Sequence, residues 1–214
     1  LNRHALYRVV KTAQYLKVYY RTVGIDVYTE GYVESCTVTN FGELVNGQIS
    51  IICPDPYWYS TQPIYAYSQS VFGAFHFPFP ESDEPFPLGV YSTDKTLSIF
   101  NSGEEVGILI TLEAASGEDV PNPVTTAVAL YDDDTSTYFQ LRLDILPGDK
   151  IIINTKQGQK SVTLVRDGVT TNIINCMASG STWFTLRKGL NRYRLSAPKY
   201  ITATIQHTDA YLGV

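Results

Sequence analysis

Three histidines and three cysteines are the residues of this 214-residue chain best suited to bind a metal or to act as nucleophiles. The histidines belong to a predicted helix, a proline-rich connector and a terminal strand, and no spacing links them: His4, His76 and His207. The cysteines form no CxxC pair, and their odd number is typical of reduced thiols that pack as small apolar groups: Cys36, Cys53 and Cys176. We therefore predict no metal site, no cofactor and no nucleophile pair.

Carboxylates could support two other kinds of chemistry. YDDDT at 131–135 could bind Ca²⁺, but it lacks the alternate spacing and distal glutamate of an EF-hand loop, so we interpret it as a solvated acidic loop. A glycosidase needs two carboxylates about 5 to 10 Å apart, for which Glu113, Glu118 or Asp144 could be proposed. Any β protein of this size offers such pairs, and the chain lacks the GxSxG, HExxH, P-loop and GxGxxG motifs. We predict that it is not an enzyme.

Composition excludes two classes of partner. The formal net charge is −5 and the sixteen lysines and arginines are scattered, whereas phosphate binding requires clustered cations. No apolar run approaches the roughly 18 residues of a membrane span. We expect no nucleic acid contact and no membrane contact. The 44% of hydrophobic residues is ordinary for a folded globular protein.

The elements before residue 60 predict a small sheet with one helix. Apolar residues at helical spacing predict a short amphipathic helix over residues 2–14. Strand-like stretches follow at 15–21, 25–41 and 47–53, with Gly31 as a bend or bulge. In QISIICPDPYWYS, at 48–60, two prolines must end strand pairing near Cys53. We interpret that stretch as the exit from a domain spanning residues 1–60.

The rest of the chain predicts a connector and a β-sandwich. Prolines at 78, 80, 85 and 87 forbid continuous strand pairing, so residues 61–97 are predicted to be a crossover or linker. Many short strands with regular turn signals follow, which indicates a β-sandwich or jelly roll over residues 98–214. Asp167-Gly168 predicts a type I′ hairpin turn. The predicted fold class is therefore mainly β.

Two aromatic residues on the predicted sandwich raise a carbohydrate-binding alternative. Trp183 could stack on a sugar, which would make the chain a lectin-like adhesion module. Within STWFTL, however, Trp183 and Phe184 face opposite sides of a strand, so at most one of them is exposed. Core packing is the expectation for both side chains.

Several stretches, in order along one chain, resemble the distal tail proteins of siphophages that infect Gram-positive bacteria. They are GYVESCTVTNFGELVNGQISIICPDPYWYS at 31–60, KIIINTKQGQKSVTL at 150–164, STWFTLRKGLNRYRLSA at 181–197 and ITATIQHTDAYLGV at 201–214. The resemblance implies a structural tail-tip (baseplate) protein with a ring domain followed by a galectin-like sandwich. It also implies that the ring domain is partial here, because family members have a further N-terminal stretch.

The resemblance further implies partners and a place in the virion. It predicts a hexameric ring at the tail tip that connects the tail tube to a tail-associated hub or fibre and in some phages carries receptor-binding proteins, with assembly in the host cytoplasm. Strands 25–41 and 47–53 carry apolar residues on both alternations, so both faces must be covered. We therefore expect residues 15–53 to build the contact between copies, with these candidate interface residues: Tyr19, Tyr32, Val38, Gln48 and Ile52.

Overall fold

A computed structural model describes residues 7–38, 47–68, 71–73, 89–91 and 94–213. The chain is mainly β, as predicted, and the strand pairings among these described residues are all antiparallel. Residues 7–9 form a helical turn, and Ile174–Cys176 form a 3₁₀ turn that the sequence did not predict. In chain order the strands are β1 Tyr15–Thr22, β2 Ile25–Val38, β3 Gly47–Ile52, β4 Trp58–Ser60, β5 Ile64–Tyr67, β6 Val71–Gly73, β7 Gly89–Tyr91, β8 Asp94–Asn101, β9 Val106–Gly107, β10 Leu109–Ala114, β11 Thr125–Asp132, β12 Thr137–Ile145, β13 Lys150–Asn154, β14 Ser161–Arg166, β15 Val169–Asn172, β16 Thr185–Leu186, β17 Gly189–Ser196, β18 Ile201–His207 and β19 Ala210–Tyr211.

The chain divides into two compact units. The first contains Leu1–Gln62 and Thr208–Val214, and the second contains Pro63–His207. This division departs from the predicted boundaries in two ways. The predicted linker at 61–97 contributes β5 and β8 to the sheets of the second unit, and the C-terminal β19 pairs with β4 in the first. Pairings between residues so far apart in sequence leave no local signal.

The predicted helix over residues 2–14 is corrected by the structure. Within the described residues it covers only 7–9, and residues 1–6 lie outside them. Ala13 adopts a left-handed conformation with φ of 63°, and its N–H donates a hydrogen bond to the carbonyl of Val33 at 2.8 Å. The N–H of Val33 in turn donates to the carbonyl of Gln14 at 3.0 Å. Backbone pairing with β2 therefore replaces the last turns of the helix.

The first unit contains one sheet organised around the long strand β2. Its order is β1-β2-β4-β19, and β3 also pairs with β2. Tyr32 lies opposite both Tyr15 of β1 and Ile52 of β3, while Tyr28 lies opposite both Tyr19 of β1 and Tyr59 of β4. β3 and β4 therefore run along the same side of β2, across from β1.

This arrangement corrects the interpretation of the CPDPY segment as a domain exit. Strand pairing does stop at Ile52, as the prolines require, but the chain rejoins β2 at Trp58 after a short excursion. Asp55 organises that excursion, because its Oδ1 accepts a hydrogen bond from the N–H of Tyr57 and its Oδ2 accepts one from the hydroxyl of Tyr59. The exit to the second unit lies at Gln62–Pro63.

The predicted irregularity at Gly31 has a different cause from a bulge. The register shift of β2 falls between Val33 and Ser35. Gly31 is buried, and a Cβ atom at that position would lie 2.5 Å from the carbonyl oxygen of Ile52. The sequence requires glycine there because the backbone of β3 approaches too closely for any side chain.

The second unit is a sandwich of a six-stranded and a four-stranded sheet. Their orders are β15-β14-β13-β10-β18-β5 and β12-β11-β17-β8, and two-stranded pairs form between β9 and β16 and between β6 and β7. Inward residues alternate with outward ones on the long strands, and those of both sheets form one core. Its most deeply buried members include Ile108, Ile110, Leu141, Val162, Leu186, Tyr193, Leu195 and Ile205.

The predicted hairpin turn between β14 and β15 is confirmed. Asp167 and Gly168 have φ values of 51° and 77°, as a two-residue type I′ turn requires, and Arg166 lies opposite Val169. The sandwich class, and with it the mainly β fold, is therefore as predicted.

Candidate assembly surface

Five tyrosines lie on one face of the sheet in the first unit, and we call this surface the tyrosine face. The register between β1 and β2 places Tyr15 opposite Tyr32 and Tyr19 opposite Tyr28, and Tyr59 of β4 lies on the other side of Tyr28. Residues directly opposite in an antiparallel pair share a face of the sheet. The tyrosine face is thus built by β1, β2 and β4, with β2 in the middle.

The rings of the tyrosine face form two groups of contacts, a pair and a row of three. Centroid distances are 5.1 Å between Tyr15 and Tyr32, 6.0 Å between Tyr19 and Tyr28, and 5.9 Å between Tyr28 and Tyr59. Tyr15 and Tyr19 are each 51% exposed and Tyr32 is 48% exposed. Half-exposed tyrosines in mutual contact form a surface with large apolar area that loses little side-chain entropy on binding, which is typical of protein interfaces.

A lysine and a glutamate hold these rings in place. The Nζ of Lys17 lies 3.4 Å from the ring centroid of Tyr28 and 3.4 Å from Glu30 Oε1. The hydroxyl of Tyr15 donates a hydrogen bond of 2.5 Å to Glu30 Oε2. The hydrogen bond from Tyr15 lowers the pKa of Glu30, which Lys17 lowers further. The same hydrogen bond and the charge of Glu30 raise the pKa of Tyr15 to about 12. The charges of the face are therefore paired within it.

The candidate interface residues named from the sequence mostly share this face. The register places Ile52 opposite Tyr32 and Gln48 opposite Thr37. The bulge between Val33 and Ser35 adds its extra residue to β2, so alternate residues of β3 stay on the same face. Gln48 is exposed and Ile52 is 56% exposed. Val38 ends β2 opposite Gly47, and its side chain lies outside the described residues.

The opposite face of this sheet is covered in part. Val27 and Val33 are buried, whereas Tyr20 and Ile49 are exposed. Both faces of the sheet therefore expose apolar side chains of β2 and β3. Such a sheet is suited to further contacts with another chain.

Two long strand edges of the sheet are open. Within the part of the chain that the structure describes, β1 pairs only with β2, and β3 pairs only with β2. They lie on opposite sides of β2, so the sheet presents an edge at each side. Unpaired strand edges are templates for pairing with another chain.

Sequence reasoning named Tyr19 and Tyr32 but missed the cluster to which they belong. Its signal is a tyrosine at every fourth position on both arms of one hairpin, at 15 and 19 and at 28 and 32. Positions four apart on a strand share a face. The two-residue turn at Val23-Gly24, where Gly24 has φ of 96°, then sets the register that brings the two arms together.

The structure places Trp183 against the sandwich core. Its ring centroid lies 5.4 Å from that of Phe139, and the side chain is partly buried. Lys160 Nζ lies 5.7 Å from the Trp183 ring. Phe184 is fully buried. Both side chains contribute to packing, and Trp183 does not stand as an open ring on the surface.

The acidic loop at 131–135 is paired with arginines. Arg187 Nη2 lies 3.2 Å from both Asp132 Oδ1 and Asp134 Oδ2, and Arg194 Nη2 lies 3.3 Å from Asp133 Oδ1. Each of the three carboxylates therefore has a cationic partner, which lowers its availability to Ca²⁺. Among the described residues, no three His, Cys, Asp or Glu side chains come together as a metal site.

The remaining candidate groups are dispersed. Glu113 pairs with Lys150 at 2.9 Å on the six-stranded sheet, whereas Asp144 belongs to β12 of the four-stranded sheet. The three cysteines are free thiols. His207 is buried in β18, while His4 and His76 lie outside the described residues. In the described part of the chain, no helix is long and apolar enough to cross a membrane.

Part of the chain is similar to a known protein family. Residues 119–211 match the family model described as the C-terminal domain of the siphovirus-type tail component. This match confirms the predicted resemblance to siphophage tail proteins. The family consists of structural tail components, which belong to the virion.

One solved structure has a similar fold over nearly the whole chain. A chain of the phage P2 baseplate in its activated conformation with calcium has a TM-score of 0.51 and 14% identity, and the match covers 94% of this chain and 70% of that one. The strontium form of that baseplate has a TM-score of 0.49 and 14% identity, with 90% and 68% covered. No curated protein sequence matches the chain.

Proposed function

We propose that this protein is a structural component of a phage tail tip that assembles into a closed ring through its first unit. The tyrosine face and the two open strand edges on opposite sides of β2 carry this proposal, because they expose apolar and aromatic surface at a place where backbone pairing can continue. The tail-component family matched by the second unit supports the same class of function.

The open edges favour a head-to-tail contact between copies. If β1 of one copy pairs with β3 of the next, Leu16 and Val18 of β1 can adjoin Ile49 and Ile51 of β3 on one face, and the tyrosine face continues toward Ile52 on the other. Such a contact is heterologous, and it closes into a ring when the rotation between copies divides the circle. The number six comes from the resemblance to distal tail proteins alone.

In this proposal the ring links the tail tube to a tail-associated hub or fibre, and the second unit projects as a galectin-like sandwich available to receptor-binding proteins. The first unit supplies the ring contact, and the second unit, Pro63–His207, forms the projecting domain. The protein has no enzymatic role. The alternative of a sugar-binding module loses its main support, because Trp183 packs against Phe139.

Native mass spectrometry and electron microscopy of the full-length protein and of assembled tails test this function. We expect a discrete oligomer with rotational symmetry and six-fold density at the tail tip. A monomer at high protein concentration, together with tails that lack such density, would overturn the proposal. A glycan array that shows strong and selective binding would favour the adhesion module instead.

A further inference from the structure

The outward faces of the two sandwich sheets differ in chemistry. The six-stranded sheet presents uncharged polar residues such as Thr111, Thr204 and Gln206 together with the exposed tyrosines Tyr65 and Tyr67, and its Lys150 is paired with Glu113. The four-stranded sheet presents arginines, tyrosines and two exposed apolar side chains. We call this second surface the arginine face, and its residues are Phe100, Tyr131, Tyr138, Leu190, Arg192 and Arg194.

Strand register brings these six residues to one face. Tyr138, Tyr131 and Arg194 lie in a row across β12, β11 and β17. Leu190, Arg192 and Arg194 alternate along β17, and alternate residues of a strand point to the same side. Leu190 lies opposite Phe100 of β8. The face thus runs from an apolar pair at one end, through two arginines, to two tyrosines.

The apolar pair is unusual for an outward position. Phe100 is 60% exposed and Leu190 is 52% exposed, although the neighbouring inward residues Ile99 and Asn191 are buried. The two side chains are direct cross-strand neighbours, so their exposed surfaces adjoin. They form an apolar patch next to Arg192 rather than two isolated hydrophobic residues.

The two arginines have different surroundings. The guanidinium of Arg194 lies 4.7 Å from the ring centroid of Tyr131 and forms an ion pair with Asp133. Arg192 is exposed, and its side chain forms no ion pair with any residue that the structure describes. Arg192 and Arg194 are two residues apart on one strand, which separates their Cα atoms by about 7 Å. This spacing suits neighbouring acidic groups of one ligand.

Charge and composition together indicate the kind of ligand. The chain carries a formal net charge of −5, so acidic residues outnumber basic ones. Arg192 nevertheless forms no ion pair with an acidic side chain in the described structure. Arginine, tyrosine and phenylalanine are the residues enriched in protein interfaces and their energetic hot spots. A purely anionic polymer would use the arginines but leave Phe100 and Leu190 without a role.

We propose that the arginine face is a docking surface for an acidic segment of a different protein. One carboxylate of that segment binds Arg192, and a second replaces Asp133 at Arg194, because that ion pair is exposed and therefore weak. An adjacent apolar side chain packs against Phe100 and Leu190. This inference rests on the proposed function only in assuming that a tail component has protein partners. The surface lies entirely in the second unit, so it is independent of ring formation by the first.

Fluorescence anisotropy with the full chain and labelled synthetic polymers tests this proposal. The probes are a glutamate–leucine copolymer, a lysine–leucine copolymer, polyglutamate and inorganic polyphosphate. We expect the glutamate–leucine copolymer to bind at least tenfold more tightly than polyglutamate, and the lysine–leucine copolymer not to bind. Added salt should weaken the interaction, because exposed charges are screened.

Variants separate the two parts of the surface. The Arg192→Gln/Arg194→Gln pair and the Phe100→Ser/Leu190→Ser pair should each weaken binding of the glutamate–leucine copolymer at least tenfold. The matched control is Lys156→Gln/Lys160→Gln, which removes two exposed charges from the loop between β13 and β14 and should change binding less than twofold. Thermal melting and native mass of each variant should match the parent protein.

Three results would overturn the proposal. The first is no binding of the glutamate–leucine copolymer, and the second is an equal loss of binding in the lysine control. The third is polyphosphate binding that is as tight and depends on the arginines but not on Phe100 and Leu190, which would define a polyanion site instead. If the arginine variant loses copolymer binding but keeps the native mass of the parent protein, the loss concerns this surface and not the ring.

Discussion

Arg166 binds Asp149 with two hydrogen bonds, of 2.8 Å from Nε to Oδ1 and 2.6 Å from Nη2 to Oδ2. The side chain of Asp149 is 1% exposed and also accepts a hydrogen bond of 2.7 Å from the N–H of Leu146. Arg166 also donates to the carbonyl oxygen of Asp144. The pair therefore fixes the turn between β12 and β13 to the end of β14.

This pair makes the stability of the protein sensitive to acid. Burial raises the pKa of Asp149, but the hydrogen bonds from Arg166 and Leu146 and the charge of Arg166 outweigh it, so the pKa lies below its ordinary value. A carboxylate with a lowered pKa in the folded state contributes stability that is present above about pH 4. That contribution is lost as the pH falls through the folded-state pKa.

We predict that Asp149→Asn lowers the free energy of unfolding by about 2 to 4 kcal/mol at neutral pH, because it leaves Arg166 without its charged partner. Urea unfolding at a series of pH values measures this effect, and the variant should lose less stability than the parent below pH 4. The control is Glu113→Gln, which breaks an exposed ion pair and should cost about 0 to 1 kcal/mol. Equal effects of the two substitutions would contradict the prediction.

Tyr19→Asp/Ile52→Asp, which changes one residue on each open edge strand, should prevent the proposed self-association. Both side chains are about half exposed, so the folded unit should tolerate the change, whereas burying two carboxylates in a contact between copies is unfavourable. Sedimentation should show a monomer in place of the oligomer. Tyr67→Asp, at an exposed position of β5 in the second unit, is the matched control and should leave the oligomer intact. An oligomer that survives in the double variant would exclude the tyrosine face as the contact.

Trp183→Ala should reduce stability by about 2 to 3 kcal/mol, less than a fully buried tryptophan would, because the ring is partly exposed. Phe184→Ala should cost more, about 3 to 5 kcal/mol, since that side chain is buried. Chemical denaturation measures both values. If Trp183→Ala left the unfolding transition unchanged and abolished binding to a glycan, the side chain would be a sugar platform rather than a packing residue.

Gly31→Ala should destabilise the first unit selectively. The added Cβ atom would lie 2.5 Å from the carbonyl oxygen of Ile52 and 2.8 Å from the Ile51 side chain, so β3 must move away from β2. Hydrogen exchange should therefore accelerate for β3 amides and remain unchanged in the sandwich. Gly47→Ala is the control, because its nearest neighbour lies 3.9 Å away. Equal exchange rates in the two variants would show that the sheet adapts without loss.

Local chemistry was sufficient to predict part of this structure. The strands at 15–22, 25–38 and 47–52 follow from runs of β-branched and aromatic residues, and the turn at Asp167-Gly168 follows from the need for positive φ. The ordered motifs also predicted the resemblance to siphophage tail proteins, which the family match over residues 119–211 confirms. Each of these properties depends on residues that are close together in the sequence or on a complete motif. The sequence alone is therefore enough to predict it.

Pairing between distant segments was beyond local prediction. The prolines correctly end β3, but only the tertiary structure shows that the chain rejoins the same sheet at β4. It also shows that β5 pairs with β18 and that the C-terminal β19 returns to the first unit. A strand as short as β19 has too few residues for its sequence pattern to indicate which strand it pairs with. Its stability comes from the sheet that it joins.

The sequence by itself determined the mainly β class, the positions of most strands and the absence of familiar catalytic motifs, because periodicity and turn chemistry are local. The tertiary structure decided which side chains meet. Lys95 is buried, where its Nζ donates hydrogen bonds to the carbonyls of Pro198 and Ile201, and burial lowers its pKa. The tyrosine face and the arginine face likewise exist only through strand register, since a shift of one residue would turn each side chain to the opposite face of its sheet.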